Sequence, residues 1–282
     1  MSGPAVRASL LALLLLAACG GTGAVDSSRG AGEASTPPMA ATPIPRAAAR
    51  GPELLARAQL LLRPPQPAMA VRYEAALLAD HCVDRDVAAP PASDVVMTVL
   101  DRSYALPSDY VPDDLVPASA AGLTGSSGTK LVRAVLLDDL AAMHAAWQAA
   151  GLSVIVESGY RSYGAQAATF DSWAARLGYA EALVRSARPG HSEHQLGTSI
   201  DLSSPGWGGR FGDWGRETAE GAWMAAHAWE YGFVMSYPFG SQARTCFSYE
   251  PWHYRWIGRE AAAAQRASGQ HLRHFLERYV DD

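Results

Sequence analysis

The sequence predicts an α+β domain, and three observations support this class. Segments with helical and strand periodicity are mixed along the chain and do not alternate as regular βαβ units. Several of the predicted strands are short and lead directly into polar residues, as at Glu157 and Glu250. The chain of 282 residues is long enough for one domain of about 150–200 residues with extensions.

The predicted elements follow from periodicity and turn residues. In the segment 130–150, apolar residues that include Leu136, Leu140, Met143 and Trp147 recur at helical spacing, and Gly151 follows as a C-terminal cap. Strands are predicted at 95–100, 152–156, 198–202, 233–237 and 245–249. Helices are predicted at 130–150, 163–177, 181–187, 217–231 and 258–279. The glycine-rich segment 203–215 is interpreted as a border of the active site or as a solvent-exposed excursion.

The N-terminal part of the chain is predicted to lie outside the folded domain. Arg7 precedes an apolar run that is too short to span a membrane as a mature helix. The run ends in Leu-Ala-Ala-Cys at Cys19, which resembles a bacterial lipobox. Residues 1–18 are therefore predicted to be a lipoprotein signal peptide with Cys19 lipidated, and an ordinary cleaved signal peptide is the alternative. Either reading places the protein in the cell envelope outside the cytoplasm, anchored to a membrane by its lipid or secreted.

The remaining chain divides by composition into three parts. Residues 19–50 are rich in Gly, Ala, Ser, Thr and Pro and are predicted to be a flexible tether. Residues 51–93 carry helical patterns separated by a proline-rich break and are predicted to be an N-terminal helical extension, to which we assign no function. Residues 94–282 are predicted to form the catalytic domain.

Composition and charge limit the partner classes. Hydrophobic residues make up 49% of the chain, which is sufficient for a core. The net charge of −5 provides no basic face, so nucleic acid is not expected as a partner.

The three cysteines fall into two roles. If Cys19 carries the lipid, Cys82 and Cys246 remain as an even pair in an oxidising compartment. A disulfide between them is predicted, and two buried free thiols are the alternative.

Two polar segments predict a metal site. His194 precedes Asp201 by seven residues, and Gly197 lies between them at a position suited to a tight turn. Strand alternation places Ser199 and Asp201 on one face. His253 supplies a second imidazole, and Glu250 lies three residues before it. Catalytic zinc takes three N/O ligands and keeps one position open for water, so His194, Asp201 and His253 are the candidate ligands for one zinc ion per chain, with Glu250 as the general base. Hydrogen-bonded structural histidines are the alternative, since this spacing alone is a weak signal.

Three segments resemble the motifs of the VanY-type D-alanyl-D-alanine carboxypeptidases, in the order found in that family. Residues 192–201 are similar to the S-x-H-x-x-G-x-x-x-D motif, and residues 250–255 are similar to E-P-W-H-x-R. Residues 158–166 resemble S-G-Y-R-S-x-x-x-Q. The family usually has Leu or Ala where Thr198 and Ser199 stand, and both of these small residues suit a strand.

This resemblance implies a Hedgehog/DD-peptidase-like fold, with a mainly antiparallel central sheet flanked by helices and zinc on its face. It implies a zinc D,D-carboxypeptidase that removes the C-terminal D-Ala from peptidoglycan stem peptides. Arg161 is expected to stabilise the oxyanion, and a structural salt bridge to Glu157 or Asp171 is the alternative. The expected substrate-binding residues are Ser158, Tyr160, Gln166 and Ser192. Arg255 is expected to orient Glu250 or to bind the peptide terminus.

Other functions remain open at this point. The motifs do not separate a D,D-carboxypeptidase from an L,D-carboxypeptidase or from an endopeptidase that cleaves cross-links. A non-catalytic, lipid-anchored binding protein with a vestigial zinc site is a further alternative, although Glu250 and Arg161 accompany all three ligands. A serine nucleophile is not expected because no S-x-x-K or G-x-S-x-G pattern occurs around the motifs.

Overall fold

The computed structural model describes residues 82–89, 95–207 and 211–281. The predicted signal peptide, Cys19, the tether and most of the 51–93 extension lie outside these residues. The strands are Val87–Ala88 (β1), Tyr104–Ala105 (β2), Leu115–Pro117 (β3), Leu131–Arg133 (β4), Ile155–Ser158 (β5), Ser199–Ser203 (β6), Phe233–Met235 (β7) and His253–Trp256 (β8). The helices are Leu137–Ala149 (α1), Tyr163–Leu177 (α2), Tyr179–Arg185 (α3), Phe211–Glu217 (α4), Ala219–His227 (α5), Gln242–Thr245 (α6), Arg259–Ser268 (α7) and Leu272–Asp281 (α8). In the described part of the chain, no helix has both the length and the hydropathy needed to cross a bilayer.

A four-stranded sheet in the order β5-β6-β8-β7 forms the centre of the domain, and all its neighbouring strands are antiparallel. Two smaller pairs lie outside it: β1 with β2 in parallel and β3 with β4 in antiparallel orientation. Helices and an antiparallel sheet in this mixed order confirm the predicted α+β class.

The central sheet separates an apolar core from a polar face. On β6, Ile200 and Leu202 are fully buried in the largest apolar cluster, which also contains Leu140, Met143 and Trp147 of α1. Because side chains alternate along a strand, Ser199, Asp201 and Ser203 lie on the opposite face. These three polar residues are also buried, so this part of the polar face is largely shielded from solvent.

One part of the polar face is covered by α8 and by residues 95–100. Val234 of β7 packs in a second apolar cluster with Met97, Val99 and Phe275. The segment 95–100, predicted as a strand, instead begins with a 3-10 helix at Val95–Met97. Its backbone is held by a side chain, because the buried Arg255 guanidinium donates to the carbonyl oxygens of Val96 at 2.7 Å and Thr98 at 2.6 Å.

Four other element predictions are corrected. The 130–150 segment starts with β4 and a 3-10 helix, and α1 begins only at Leu137. The segment 217–231, predicted as one helix, instead contains the end of α4, then α5 and a 3-10 helix at Ala228–Tyr231. The predicted strand 245–249 is absent because the chain bends at Cys246, whose φ is 67°; the strand lies later, at β8. The predicted C-terminal helix is two helices, separated at Gly269 with φ of 66°.

Candidate metal centre and active-site cleft

The register of the central sheet brings two predicted metal ligands side by side. Asp201 of β6 lies directly opposite His253 of β8. On its other side, Asp201 is paired with Ser158 at the end of β5. Directly opposed residues in an antiparallel pair have Cβ atoms about 5 Å apart, so residues far apart in the chain meet at one point.

His194 reaches the same point from a 3-10 helix at Glu193–Leu196, which immediately precedes β6. The Ser192 hydroxyl accepts a hydrogen bond from the His194 backbone N–H at 3.3 Å and caps this turn. Gly197 ends the turn with φ of 75°, and a Cβ at this position would lie 2.9 Å from Cγ of Arg133. The sequence therefore needs glycine here both for the backbone conformation and for the close approach.

The three predicted ligands form a cluster of donor atoms. Suitable atoms of His194, Asp201 and His253 all lie within 4.8 Å of one another. Nε2 of His194 is 3.1 Å from Oδ2 of Asp201, and Nδ1 of His253 is 3.0 Å from Oδ1. Ligands about 2 Å from a tetrahedral zinc ion lie about 3.3 Å apart, so the cluster has the size and chemistry of a zinc site.

Both imidazole rings are oriented by their second nitrogen. Nδ1 of His194 lies 2.8 Å from the carbonyl oxygen of Gly159, to which it donates in the tautomer that leaves Nε2 free. Nε2 of His253 lies 2.9 Å from Oε2 of Glu193, which leaves Nδ1 facing Asp201. Such outer partners fix the ring orientation of metal-binding histidines.

The ionisation of the cluster suits a cation. Burial alone would raise the pKa of Asp201, but the two histidines hold it well below its usual range, so the carboxylate stays ionised. Burial lowers the pKa of His194 and favours the neutral ring that binds metal. Burial would also lower the pKa of His253, but hydrogen bonds to Asp201 and Glu193 raise it to about 10 in the metal-free protein. A metal ion bound here would therefore have to displace a proton from His253.

Glu193 is the main site residue that the sequence interpretation missed. Its buried carboxylate accepts hydrogen bonds from Nε2 of His253 at 2.9 Å, from the Ser236 hydroxyl at 2.6 Å and from Nη1 of Arg255 at 2.9 Å. Burial would raise its pKa, but Arg255 and the donated hydrogen bonds lower it to about 2. Its position next to His194 was the only available signal, since its partners come from β8 and from Ser236, the residue after β7.

The same contacts correct the expected role of Arg255. This residue is fully buried, and its guanidinium binds Glu193 and two backbone carbonyl oxygens. It thus neither orients Glu250 nor lines the cleft, and acts through Glu193 on His253.

Glu250 lies in the turn that leads into β8. Its backbone N–H donates to Tyr237 O at 3.0 Å, and its carbonyl accepts from the His253 N–H at 3.1 Å. Burial raises the pKa of the Glu250 carboxyl to about 8, and the negative charges of Asp201 and Glu193 add to the rise. A bound dication would oppose this rise because positive charge favours the carboxylate.

Arg161 lies beside the cluster, held in place by neutral partners. Its guanidinium donates to Gln166 Oε1 at 2.8 Å and to the Ser158 hydroxyl at 2.9 Å, and Nη2 is 3.6 Å from Oδ2 of Asp201. The alternative salt bridges to Glu157 or Asp171 are absent from the described ion pairs. Ser158 and Gln166 therefore position Arg161.

These residues surround a cleft with a volume of about 630 Å³. Its walls include the metal cluster, Glu250, Arg161, Ser158, Gln166 and Ser192. Tyr160 is not among the lining residues described; its backbone N–H donates to Leu131 O. The outer walls come from Phe211, in the glycine-rich segment interpreted as a border of the active site, and from other residues, namely Glu157, Thr169, Trp173, Arg185 and Trp252.

The predicted disulfide is present. Cys82 and Cys246 are joined with a Cα–Cα distance of 5.5 Å across a sequence separation of 164 residues. The adjacent Phe247 lines the cleft, so the bridge connects the start of the described chain to a wall of the site.

Comparison with known proteins links this geometry to one family. A model of the VanY family, described as D-alanyl-D-alanine carboxypeptidase, matches residues 129–259. The protein YodJ of Bacillus subtilis (strain 168) is 33% identical over 184 residues, which span 65% of this chain and 67% of that protein.

Solved structures agree with the family match. The LD-carboxypeptidase LdcB superposes with a TM-score of 0.59 at 34% identity, covering 65% of this chain and 86% of that chain. The vancomycin resistance D,D-pentapeptidase VanY, solved as a mutant in complex with Zn(II), superposes with a TM-score of 0.54 at 27% identity, covering 65% of this chain and 99% of that chain. The predicted fold with its antiparallel central sheet is therefore confirmed.

Proposed function

Because the chain belongs to the VanY family of D-alanyl-D-alanine carboxypeptidases, we propose that it is a zinc-dependent D,D-carboxypeptidase that removes the C-terminal D-Ala from peptidoglycan stem peptides. Family membership makes the chain a peptidase of the carboxypeptidase class. We propose three finer properties: that the peptidase depends on zinc, that it prefers D,D bonds, and that it binds one ion per chain.

The observation that carries the proposal is the meeting of three ligands, a buried carboxyl and a guanidinium in one cleft. His194, Asp201 and His253 supply two nitrogens and one oxygen, which fit zinc with an open fourth position. The Zn(II) complex of the similar VanY structure supports this metal. When bound there, zinc would polarise the scissile carbonyl and lower the pKa of a water molecule to about 7.

Glu250 and Arg161 have separate roles, in proton transfer and in stabilisation of the oxyanion. Glu250 is a buried carboxyl in the cleft without an ion-pair partner among the described residues, so its carboxylate can take a proton from the attacking water and pass it to the leaving amine. Arg161 is held with its guanidinium beside Asp201, where it can donate to the oxyanion that develops on the scissile carbonyl.

Replacing Glu250 with glutamine separates this chemistry from metal binding. We expect Glu250→Gln to retain one zinc ion per chain by elemental analysis and to lose at least about 100-fold in kcat on a pentapeptide stem, since general base catalysis contributes about 10²–10⁴-fold. Glu230→Gln, which changes an exposed glutamate paired with His227, is the matched control. A Glu250→Gln protein with near-normal turnover would refute the assignment.

An L,D-carboxypeptidase is the second candidate because LdcB superposes with the higher TM-score of the two structures described. Mass analysis of penta- and tetrapeptide stems, with and without chelator, distinguishes the two activities. Chelator-sensitive loss of one alanine from the pentapeptide supports the D,D assignment. Loss only from the tetrapeptide moves the assignment to L,D, and loss from neither directs attention to cross-linked substrates.

We also propose that the enzyme acts outside the cytoplasm, tethered to a membrane through lipidated Cys19. The Cys82–Cys246 disulfide supports an oxidising compartment, and the lipobox-like segment supports the anchor. Metabolic labelling with a fatty acid should mark the wild type but not Cys19→Ala. Equal labelling of both proteins would exclude Cys19 as the anchor.

A further inference from the structure

An exposed aromatic cluster lies beside the cleft and has no role in the proposed chemistry. Phe239 is 72% exposed, the highest value among the large hydrophobic side chains of the described residues. Its ring packs edge-on against Tyr249 with centroids 5.5 Å apart. The Arg216 guanidinium lies over both rings, 4.9 Å from the centroid of Phe239 and 5.5 Å from that of Tyr249. We call these three side chains the rim platform.

The rim platform is held in place by the chain around it. Phe239 lies on a tight turn, in which the Ser241 backbone N–H donates to Pro238 O at 3.1 Å. Tyr249 is packed against α4, since a Cβ on Gly215 would lie 2.7 Å from its Oη. A preformed surface of this kind loses little conformational entropy when a ligand binds. A cluster of exposed rings with a guanidinium is thus more than a scattered surface apolar residue and marks a binding surface.

The platform continues one wall of the cleft. Gly212 of α4 lines the cleft, and Arg216 is four residues later on the same helix face, about 6 Å along the axis. Tyr237 also lines the cleft, and Phe239 follows it by two residues, which extended chain covers in about 7 Å. A ligand that leaves the cleft along α4 therefore meets the platform after about 7 Å.

The chemistry of the platform suits a sugar ring. One face of a pyranose carries C–H groups, which pack on the partly negative face of an aromatic ring, while its hydroxyl and amide groups lie at the edge. Phe239 offers such a ring, and Arg216 offers guanidinium donors that make no ion pair among the described residues.

The proposed substrate carries such a ring, because stem peptides are attached to the glycan of peptidoglycan. In a pentapeptide stem, four residues separate the scissile bond from the sugar, and they cover at most about 14 Å when extended. The sugar therefore lies outside the cleft but close to its rim, where the platform is exposed.

We propose that the rim platform binds a sugar ring of the glycan strand, so that the enzyme prefers stem peptides that are still attached to glycan. The inference rests on the proposed carboxypeptidase function and names its substrate class more closely. The stem peptide then leaves the cleft along α4, and its sugar stacks on Phe239 while Arg216 donates to the polar groups at the edge of the ring. Because the platform touches no reacting atom, its contribution appears in KM and not in kcat.

Two substrates test this preference: a free pentapeptide stem and the same stem linked to its N-acetylglucosaminyl-N-acetylmuramyl disaccharide. We expect the wild type to have a kcat/KM about fivefold higher for the linked stem, the ratio that corresponds to about 1 kcal/mol for one aromatic contact. This ratio should fall toward one in Phe239→Ala, through KM, and recover in Phe239→Tyr. It should keep its wild-type value in Tyr179→Ala, which removes another exposed ring, packed edge-on against Phe170 at 5.6 Å.

Binding of glycan strands that carry no peptide separates failure of this inference from failure of the proposed function. The wild type, Phe239→Ala and Tyr179→Ala are titrated with such strands by calorimetry. Binding that only Phe239→Ala weakens supports the inference even if the wild type cleaves no stem peptide. Absence of binding, or equal binding by the three proteins, overturns it even if the wild type is an active carboxypeptidase. Self-association in analytical ultracentrifugation that Phe239→Ala abolishes would assign the platform to a second copy of the chain and would also overturn it.

Discussion

Replacement of Glu193 by glutamine probes the layer of residues behind the metal ligands. The carboxylate accepts three hydrogen bonds, two at Oε2 and one at Oε1. A glutamine has the same shape but only one side-chain oxygen, so at least one donor loses its acceptor and faces an NH2 group. The substitution also removes the negative partner of Arg255, which has no exposed surface.

The expected cost follows from this burial. Breaking a buried ion pair by removing one partner costs about 3–5 kcal/mol, because the remaining charge is left uncompensated. We expect that loss in the free energy of unfolding of the metal-free protein, measured by urea denaturation. Loss of an outer partner of a metal-binding histidine lowers metal affinity by about 10–100-fold, so zinc affinity measured against a competing chelator should fall by that factor.

The pH dependence gives an independent check. The pKa of Glu193 is about 2 in the folded protein, below its ordinary value of 4.5. A lowered folded pKa contributes stability that is present above pH 4.5 and is lost as the pH falls toward 2. The difference in free energy of unfolding between wild type and Glu193→Gln should therefore narrow across that range, since protonated glutamate resembles glutamine in charge.

The control is Glu230→Gln, which alters an exposed pair and should change stability by less than about 1 kcal/mol. If Glu193→Gln lost less than about 1 kcal/mol and bound zinc like the wild type, the argument that Glu193 supports the metal centre would be wrong.

Two further predictions concern the disulfide next to the cleft and the glycine that ends the turn of His194. The double substitution Cys82→Ser and Cys246→Ser opens a loop of 164 residues, for which the chain-entropy relation gives about 5 kcal/mol as an upper value. We expect a Tm about 10–20 °C lower than that of the oxidised wild type in calorimetry, and the wild type in reductant should match the variant; an unchanged Tm would show that the bridge contributes little. Gly197→Ala should lose more than the roughly 1–2 kcal/mol expected for left-handed backbone alone, because its φ is 75° and its Cβ would lie 2.9 Å from Arg133 Cγ. Gly206→Ala is the matched control, with φ of 73° and no atom within 4 Å, and equal losses in urea denaturation of the two variants would contradict the contact argument.

Two of the metal ligands were predictable because their signal is local, and the third, His253, was predictable because residues 250–255 resemble a family motif. His194, Gly197 and Asp201 lie within one turn and strand, and the alternation of 198–202 already set the face of Asp201. The disulfide was predictable because only two cysteines remained after Cys19. Short sequence motifs were thus enough to predict the metal ligands, and the number of cysteines was enough to predict the disulfide.

The supporting residues depend on contacts that only the folded chain creates. Glu193 meets Arg255 across 62 positions, and Arg255 meets Val96 across 159. The segment 95–100 has strand-like composition, but its carbonyl groups bind a guanidinium rather than a neighbouring strand. Tyr160 belongs to a motif, yet motif membership alone did not establish that its side chain lines the cleft.

Arg255 also determines how much chain the catalytic unit requires. The family match begins at residue 129, but the carbonyl groups that Arg255 binds belong to Val96 and Thr98. A shortened protein that began at residue 129 would leave this buried cation with two hydrogen bonds missing, and Arg255 contacts the carboxylate that orients His253. We therefore expect the metal centre to form only when the segment before the family match is also present, so that a stable domain needs residues upstream of residue 129.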